Sequence, residues 1–390
     1  YYNKRVVIKK DLCKAKQKLK KLKKDTSEYT DVKYEVERLN TSQMVIKILI
    51  NSCYGYMGNK HAPIGDDDIA SSVTLTGQAV IKYSNELIKE FIKKDIPDIS
   101  DNELEGCIIY NDTDSSYVSI TPLVNKGLKF LDGEDIHKDT FDKIQEIEDH
   151  LNQGVGEWAK KALLSKDNRF IFKRECIADV GVFLQKKRYV MHILDDEGIK
   201  ENKFKYTGVE VVRTTMPNAI KPYAKKIIET MLMTQSLGKT NKLLNETYEI
   251  FKGLGPQELA FVMGVKGYEK YATQCNQFTT TKGMPIHVKS AYFYNMLLDK
   301  LNTGNKYEAI STGDKVRYMY IEQPNKFGLE SIGFKYDYPK EFSDLFKPDY
   351  DKMFEKILFQ AIERFYDNVG WKIRKPSENV TVELFDLFSK

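Results

Sequence analysis

The sequence is poor in the features that would settle its class at a glance. Among 390 residues there are only 2 tryptophans and 11 prolines. No apolar run approaches the ~20 residues that span a bilayer, so no segment reads as a transmembrane helix. The 5 cysteines, at positions 13, 53, 107, 176 and 275, are odd in number, scattered, and never in C-x-x-C spacing. That pattern argues against a disulfide framework or a zinc site and points to a reducing compartment, the cytoplasm. No G-x-x-x-x-G-K-[ST] loop, G-x-S-x-G elbow or H-E-x-x-H motif occurs, and the 5 histidines (61, 137, 150, 192 and 287) do not cluster. P-loop nucleotide hydrolysis, serine-hydrolase chemistry and zinc proteolysis are thereby set aside.

What is there is the composition of a globular protein, 41% hydrophobic and 30% charged, long enough for two or three domains. Tyrosine is plentiful at 24. The net charge is only +5, but its distribution is uneven. Between Lys4 and Lys24 there are 11 basic residues and one acid, Asp11. Such a run is either a solvated helix face or a surface that meets phosphates.

Apolar Leu12, Ala15, Leu19 and Leu22 are spaced 3-4-3, which predicts a helix over about 4–24 with one apolar stripe. "DTSEYTD" breaks it, and a second helix is expected from about Val32 to Tyr56, ended by the glycines of "YGYMGN". The two read as an antiparallel hairpin. A third helix is expected over about 70–93, a hairpin at "CIIYNDTDSSYVSI", and a helix over 135–165. Strand-like segments follow at "RFIFKRECIADVG", "KKRYVMHILD" and "FKYTGVEVV". After Pro217 the pattern turns to long helices, at about 218–233 and 237–253, then a mixed region with a last helix near 350–368.

Lys47, Asn51 and Tyr54 share one face of the second helix, and Gln43 extends that stripe by a turn. A cation, an amide and a phenol in a row suit a phosphate, a sugar and a base edge. Arg5 and Lys9, four residues apart on the first helix, add two cations if the helices pair. In "YNDTDSSYV", Asp112 and Asp114 interrupt β-forming residues. Strands disfavour aspartate, so the pair marks either a tight turn or a carboxylate mount for a divalent cation. Two metal ions need a further acid, and Glu175 in "FKRECI" is a candidate. "QKKRYV" puts three cations in a strand, where alternation sends Lys187 and Tyr189 to one face and Lys186 and Arg188 to the other. That suits a nucleic-acid groove or a charged edge strand.

Taken in order, these motifs resemble a family B DNA polymerase. "KILINSCYG" resembles the K-x-x-x-N-S-x-Y-G fingers motif, "YNDTDSSYV" the Y-x-D-T-D-S palm motif, and "KKRY" the duplex-contacting motif. "YYNKR" with Lys9, "GVEVVRTTMPNAIK" and "MPIHVKSAYFYN" resemble, more narrowly, segments of the replicative polymerases of T-even-type phages. The resemblance implies an α+β chain with helical-hairpin fingers at 1–58 and an antiparallel-sheet palm backed by helices at 59–216. A mainly helical thumb with a mixed distal region would occupy 217–376, and a clamp-binding tail 377–390.

It further implies that Arg5, Lys9, Lys47 and Asn51 bind the triphosphate of an incoming dNTP, with Lys47 counted among the catalytic residues. Tyr54 would lie against the nascent base pair. Asp114, with Asp112 beside it and Glu175 as an outlying acid, would hold Mg²⁺ for two-metal phosphoryl transfer to a primer 3′-hydroxyl. Lys186, Lys187, Arg188 and Tyr189 would track the primer–template duplex, and Arg213 a primer phosphate. Leu384, Phe385, Leu387 and Phe388 in "VELFDLFSK" would engage a sliding clamp. The family's other metal-binding aspartate belongs to a D-x-x-S-L-Y-P-type motif that this sequence does not contain. The expectation is therefore the C-terminal half of a split polymerase, completed by a separate N-terminal chain carrying that carboxylate and the exonuclease. Rival readings are a non-catalytic DNA-binding or clamp-tethering subunit and an RNase H-like nuclease. The nuclease would leave the Lys47-Asn51-Tyr54 stripe and the KKRY segment unexplained.

Overall fold

A computed structural model describes residues 1–167 and 169–376; the expected clamp-binding residues Leu384, Phe385, Leu387 and Phe388 lie outside them. The chain divides into two compact units. One comprises Tyr1–Asp179 with His192–Lys203, the other Val180–Met191 with the chain from Phe204 onward. The division falls within the 59–216 span expected of a palm. Among the described residues no helix is long and apolar enough to cross a membrane.

The first unit opens with two long helices, α1 (Tyr2–Lys21) and α2 (Ser27–Met57). They pair around buried Leu12, Ala15 and Leu39, with Ile8 and Val36 packed alongside. Of the expected 3-4-3 stripe, Leu19 and Leu22 are only half-buried, and the helix stops at Lys21, before Leu22. α2 begins five residues before the expected Val32, because Thr26 caps it by accepting a hydrogen bond from the Tyr29 amide at 3.2 Å. Helices α3 (Asp67–Asp95) and α4 (Asp101–Gly106) follow. Next come the antiparallel hairpin β1 (Ile108–Asp112) and β2 (Ser115–Val118), and the short α5 (Thr121–Asn125). A minimal ribbon, β3 (Leu131–Asp132) and β4 (Asp135–Ile136), leads into α6 (Lys138–Ala162).

The core of this unit lies between α3 and α6, around Leu87, Ile88, Ile92, Ile147, Leu151 and Val155. Gly154 permits the close approach, since a Cβ there would stand 2.6 Å from Leu87 Cδ1. Cys107 is fully buried in the same core, and burial pushes its thiol pKa up, which makes it a packing residue and a poor nucleophile.

Three strands, β5 (Cys176–Gln185), β6 (Arg188–Asp196) and β7 (Ile199–Thr207), form a sheet in that order. The division between units passes through each strand. The second unit continues with a 3₁₀ turn (Glu210–Val212), the helices α7 (Lys221–Thr234) and α8 (Leu237–Lys252), and the short α9 (Pro256–Leu259). Then come β8 (Phe261–Gly264), α10 (Tyr268–Ala272), α11 (Ile286–Lys300), β9 (Lys315–Tyr320) and β10 (Ser331–Phe334). The three strands make an antiparallel sheet, β10-β9-β8, against which α11 packs.

The chain closes with α12 (Lys340–Ser343), α13 (Tyr350–Phe354), a five-residue π turn at Glu355–Phe359, and α14 (Gln360–Asn368). Aromatic residues dominate here: Tyr294, Tyr338 and Phe346 each meet Phe342 edge to face. Tyr248, Tyr292, Tyr294, Tyr318 and Tyr366 are buried in this core.

Candidate functional site

The aspartate pair of the first unit sits where β1 turns into β2. Asp112 pairs with Ser115, leaving Thr113 and Asp114 as the turn. Thr113 takes a left-handed backbone with φ 59°, a conformation β-branched residues rarely adopt. The tip is held by short polar contacts. Thr113 Oγ1 donates to Asp112 Oδ1 at 3.1 Å, and the Ser115 hydroxyl donates to the Asp112 carbonyl at 3.1 Å. One pair of residues away, Ser116 Oγ lies 2.8 Å from Asn111 Oδ1 and 2.9 Å from Asn85 Oδ1 on α3, which ties the hairpin to the helix behind it. The rings of Tyr110 and Tyr117 pack across the strands at 5.5 Å.

Asp114 is exposed, and among the described residues its carboxylate enters no ion pair or side-chain hydrogen bond. Two carboxylates at i and i+2 on a braced turn, one of them unneutralised, are suitable donors for a hard cation that takes few protein ligands. Among the described residues, however, no group of three or more His, Cys, Asp or Glu side chains is placed to hold a metal. Glu175 is exposed and stands just before β5, outside the strand in which the sequence placed it. It does not join the pair in such a group.

On α2, Lys47, Asn51 and Tyr54 are all exposed, as their spacing predicts. The Tyr54 hydroxyl donates to the Ala70 carbonyl at 3.4 Å. Gln43 does not extend the stripe. It is buried at 8% exposure beside Leu39 and Ile46, with its amide on Asn40 Oδ1 at 3.1 Å. Lys18 pairs with Glu28 at 2.9 Å near the joint of the helical hairpin, so the antiparallel course carries Arg5 and Lys9 toward the Gln43–Lys47 half of α2. Arg5 Nε is buried without a hydrogen-bond partner, a condition that a phosphate oxygen would satisfy. Lys9 is already engaged: its ammonium pairs with Glu197, in the turn between β6 and β7. Lys20 likewise meets Glu201 at 2.9 Å. Part of the basic run of α1 is therefore neutralised by the β6–β7 ribbon.

In the second unit the KKRY segment corrects the alternation expected of it. Lys186 and Lys187 are the two turn residues between β5 and β6, and Lys187 has φ 61°. Both are exposed at the tip, Arg188 is half-buried, and Tyr189 is only 4% exposed and stacked on Phe183 at 5.1 Å. The cations are thus presented by a hairpin tip and the tyrosine anchors it from beneath. Gly208 supports this tip: with φ 62°, a Cβ there would lie 2.1 Å from the Lys187 carbonyl oxygen. Gly208→Ala is expected to lower stability by about 2 kcal/mol or more, since the left-handed backbone and the clash both oppose it. Urea unfolding checks this, and an unchanged midpoint would refute the close packing. Arg213 Nη2 donates to the Gly208 carbonyl at 3.3 Å, bringing the second expected DNA contact beside the first.

Comparisons with known proteins show the family of the chain. A profile of DNA polymerase family B matches residues 4–130 and 165–369. A DNA-directed DNA polymerase of Escherichia phage RB69 is 26% identical over 402 residues, covering 96% of this chain and 42% of that protein. One of Enterobacteria phage T4 is 24% identical over 358 residues, covering 85% and 37%. A DNA polymerase of Thermococcus gorgonarius is 26% identical over 364 residues, covering 93% and 38%. The chain spans well under half the length of these relatives.

Proposed function

The chain belongs to DNA polymerase family B, and from that membership we propose that it supplies the fingers, the second part of the palm and the thumb of a DNA-directed DNA polymerase. The reaction is attack of a primer 3′-hydroxyl on the α-phosphate of a dNTP, with pyrophosphate leaving. The observation that carries the reading is the D-T-D turn: Asp112 and Asp114 on a strained, braced hairpin tip, with Asp114 exposed and unneutralised.

Asp112 and Asp114 would hold Mg²⁺, with Glu175 as an outlying acid and a further carboxylate contributed from outside these 390 residues. Bound there, the cation supplies positive charge against the oxygens on which negative charge develops. Lys47 and Arg5 direct their cationic groups at the triphosphate, and Asn51 contributes an amide. They fix the nucleotide before reaction, which is where positioning catalysis gains most. Lys9 joins them when it exchanges Glu197 for a phosphate, a charge-for-charge replacement. Tyr54 presents an exposed ring edge to the base pair. The tip of Lys186, Lys187 and Arg188, with Arg213, holds the duplex by its phosphates and so registers it without reading sequence.

A primer-extension assay tests the proposal. With Mg²⁺ and a primed template, the 390-residue chain alone is expected to add no nucleotide. Adding the upstream polymerase segment that carries the second aspartate should restore synthesis. Robust extension by the chain alone would overturn the outside carboxylate, and no extension by the combination would overturn the polymerase reading.

A further inference from the structure

Glu210 lies at the centre of a group of arginines that the sequence motifs only partly contain. Arg188 Nη1, at the start of β6, reaches Glu210 Oε1 at 2.9 Å. Arg364 Nη1, on α14, reaches the same oxygen at 2.5 Å. Arg213 Nη2, just past the 3₁₀ turn, stands 3.9 Å from it. Two segments distant in sequence, and Arg213 three residues along the chain, therefore gather at one carboxylate oxygen, while Glu210 Oε2 is buried with no hydrogen-bond partner. α14 is fixed beside the β5–β6 hairpin by a second contact, Asn368 Nδ2 donating to the Phe183 carbonyl at 3.2 Å.

Three guanidinium groups against one carboxylate leave a local excess of two positive charges. Each guanidinium has five donors in a rigid fork. Arg188 spends part of its set on the Gln185 amide oxygen and Arg213 one on the Gly208 carbonyl, and the remaining donors of Arg213 and Arg364 are the ones left for a ligand. Arg213 and Arg364 keep side-chain exposures of 43% and 54%, so those donors face solvent. Three cations of one sign around one acid repel one another, a cost that a second anion would offset. The arrangement makes sense if a second anion completes it.

We propose that Arg188, Arg213 and Arg364 form one phosphodiester-binding site, and that Glu210 is its positioning residue, holding the three guanidinium groups ready for the duplex backbone. The inference rests on the polymerase reading for its ligand, since Arg188 and Arg213 are its expected duplex contacts. Arg364 and the role of Glu210 are new. The site is phosphate chemistry only and carries no base recognition.

The test is primer–template binding by the full chain, followed by fluorescence anisotropy across a salt series. Arg364→Ala is expected to weaken binding about fivefold to tenfold, equally for unrelated duplex sequences, and to reduce the slope of log K against log salt by about one. Glu210→Gln separates positioning from simple charge by its sign. Deleting a negative charge near a polyanion would tighten binding, whereas loss of positioning weakens it, and weakening is expected. Circular dichroism monitors folding of Glu210→Gln; if it unfolds, the exposed Arg364→Ala substitution still decides. Wild-type affinity and salt slope retained in Arg364→Ala, or tighter binding by folded Glu210→Gln, would overturn the inference. Failure of the wild-type chain to bind duplex at all would instead count against the polymerase reading.

Discussion

Lys47→Ala is expected to lower kcat/KM for the incoming nucleotide about a hundredfold to a thousandfold, the usual cost of removing a charged stabiliser from a transferring phosphoryl group. Its affinity for primer–template should not change. Lys47 stands exposed on α2, with no ion pair or side-chain hydrogen bond among the described residues, so its charge is available to a ligand. Lys9 makes the contrast: it is paired with Glu197, and removing it also frees a carboxylate. Lys47 has no such compensation. Pre-steady-state incorporation at varied dNTP checks the effect. A change confined to duplex affinity would move Lys47 from the nucleotide to the DNA.

The second large effect concerns Asp114. Its neighbour Asp112 is bridged by the Thr113 hydroxyl, and its main chain is held by Ser115, so the tip keeps its shape when one side chain changes. Asp114→Asn preserves volume and removes one anionic oxygen. If that oxygen holds the catalytic cation, several kcal/mol of transition-state stabilisation disappear, about a thousandfold in rate. The exposed position makes collateral unfolding an unconvincing cause of any loss, because surface changes away from caps and cores stay near ±0.5 kcal/mol.

Much of this was legible before any coordinates. The α1–α2 hairpin followed from the spacing of Leu12, Ala15, Leu19 and Leu22 and the polar break after it, because a helix with one apolar stripe must cover it. That Leu39 does the covering came from the structure. The D-T-D turn followed from the misfit of aspartate with strand. Errors arose where side chains from elsewhere took over local roles. Residues 169–175 look like strand, yet β5 starts only at Cys176. The reason is that α6 satisfies the preceding backbone. Asn152 Oδ1 accepts from the Phe172 amide at 2.8 Å, and Glu148 Oε2 accepts from the Arg174 amide at 2.9 Å.

The KKRY turn was missed for a different reason. No glycine, proline or asparagine marks it, and Lys187 enters the left-handed region without the usual residue type. The signal that could have found it was Gly208, whose need for an absent Cβ becomes visible only when the hairpin tip lies against it. Arg364 carried no sequence signal at all. It lies 154 residues from Glu210, and only the fold joins them.

The central claim is that the β1–β2 turn is one side of a polymerase metal centre. Single-turnover addition of one dNTP tests it most directly, using the complete polymerase with Mg²⁺, wild type against Asp114→Asn, and duplex binding measured in parallel. The expected result is equal duplex affinity with incorporation slowed about a thousandfold. Equal incorporation rates would contradict the claim and leave the chain a DNA-binding subunit with the architecture of a polymerase.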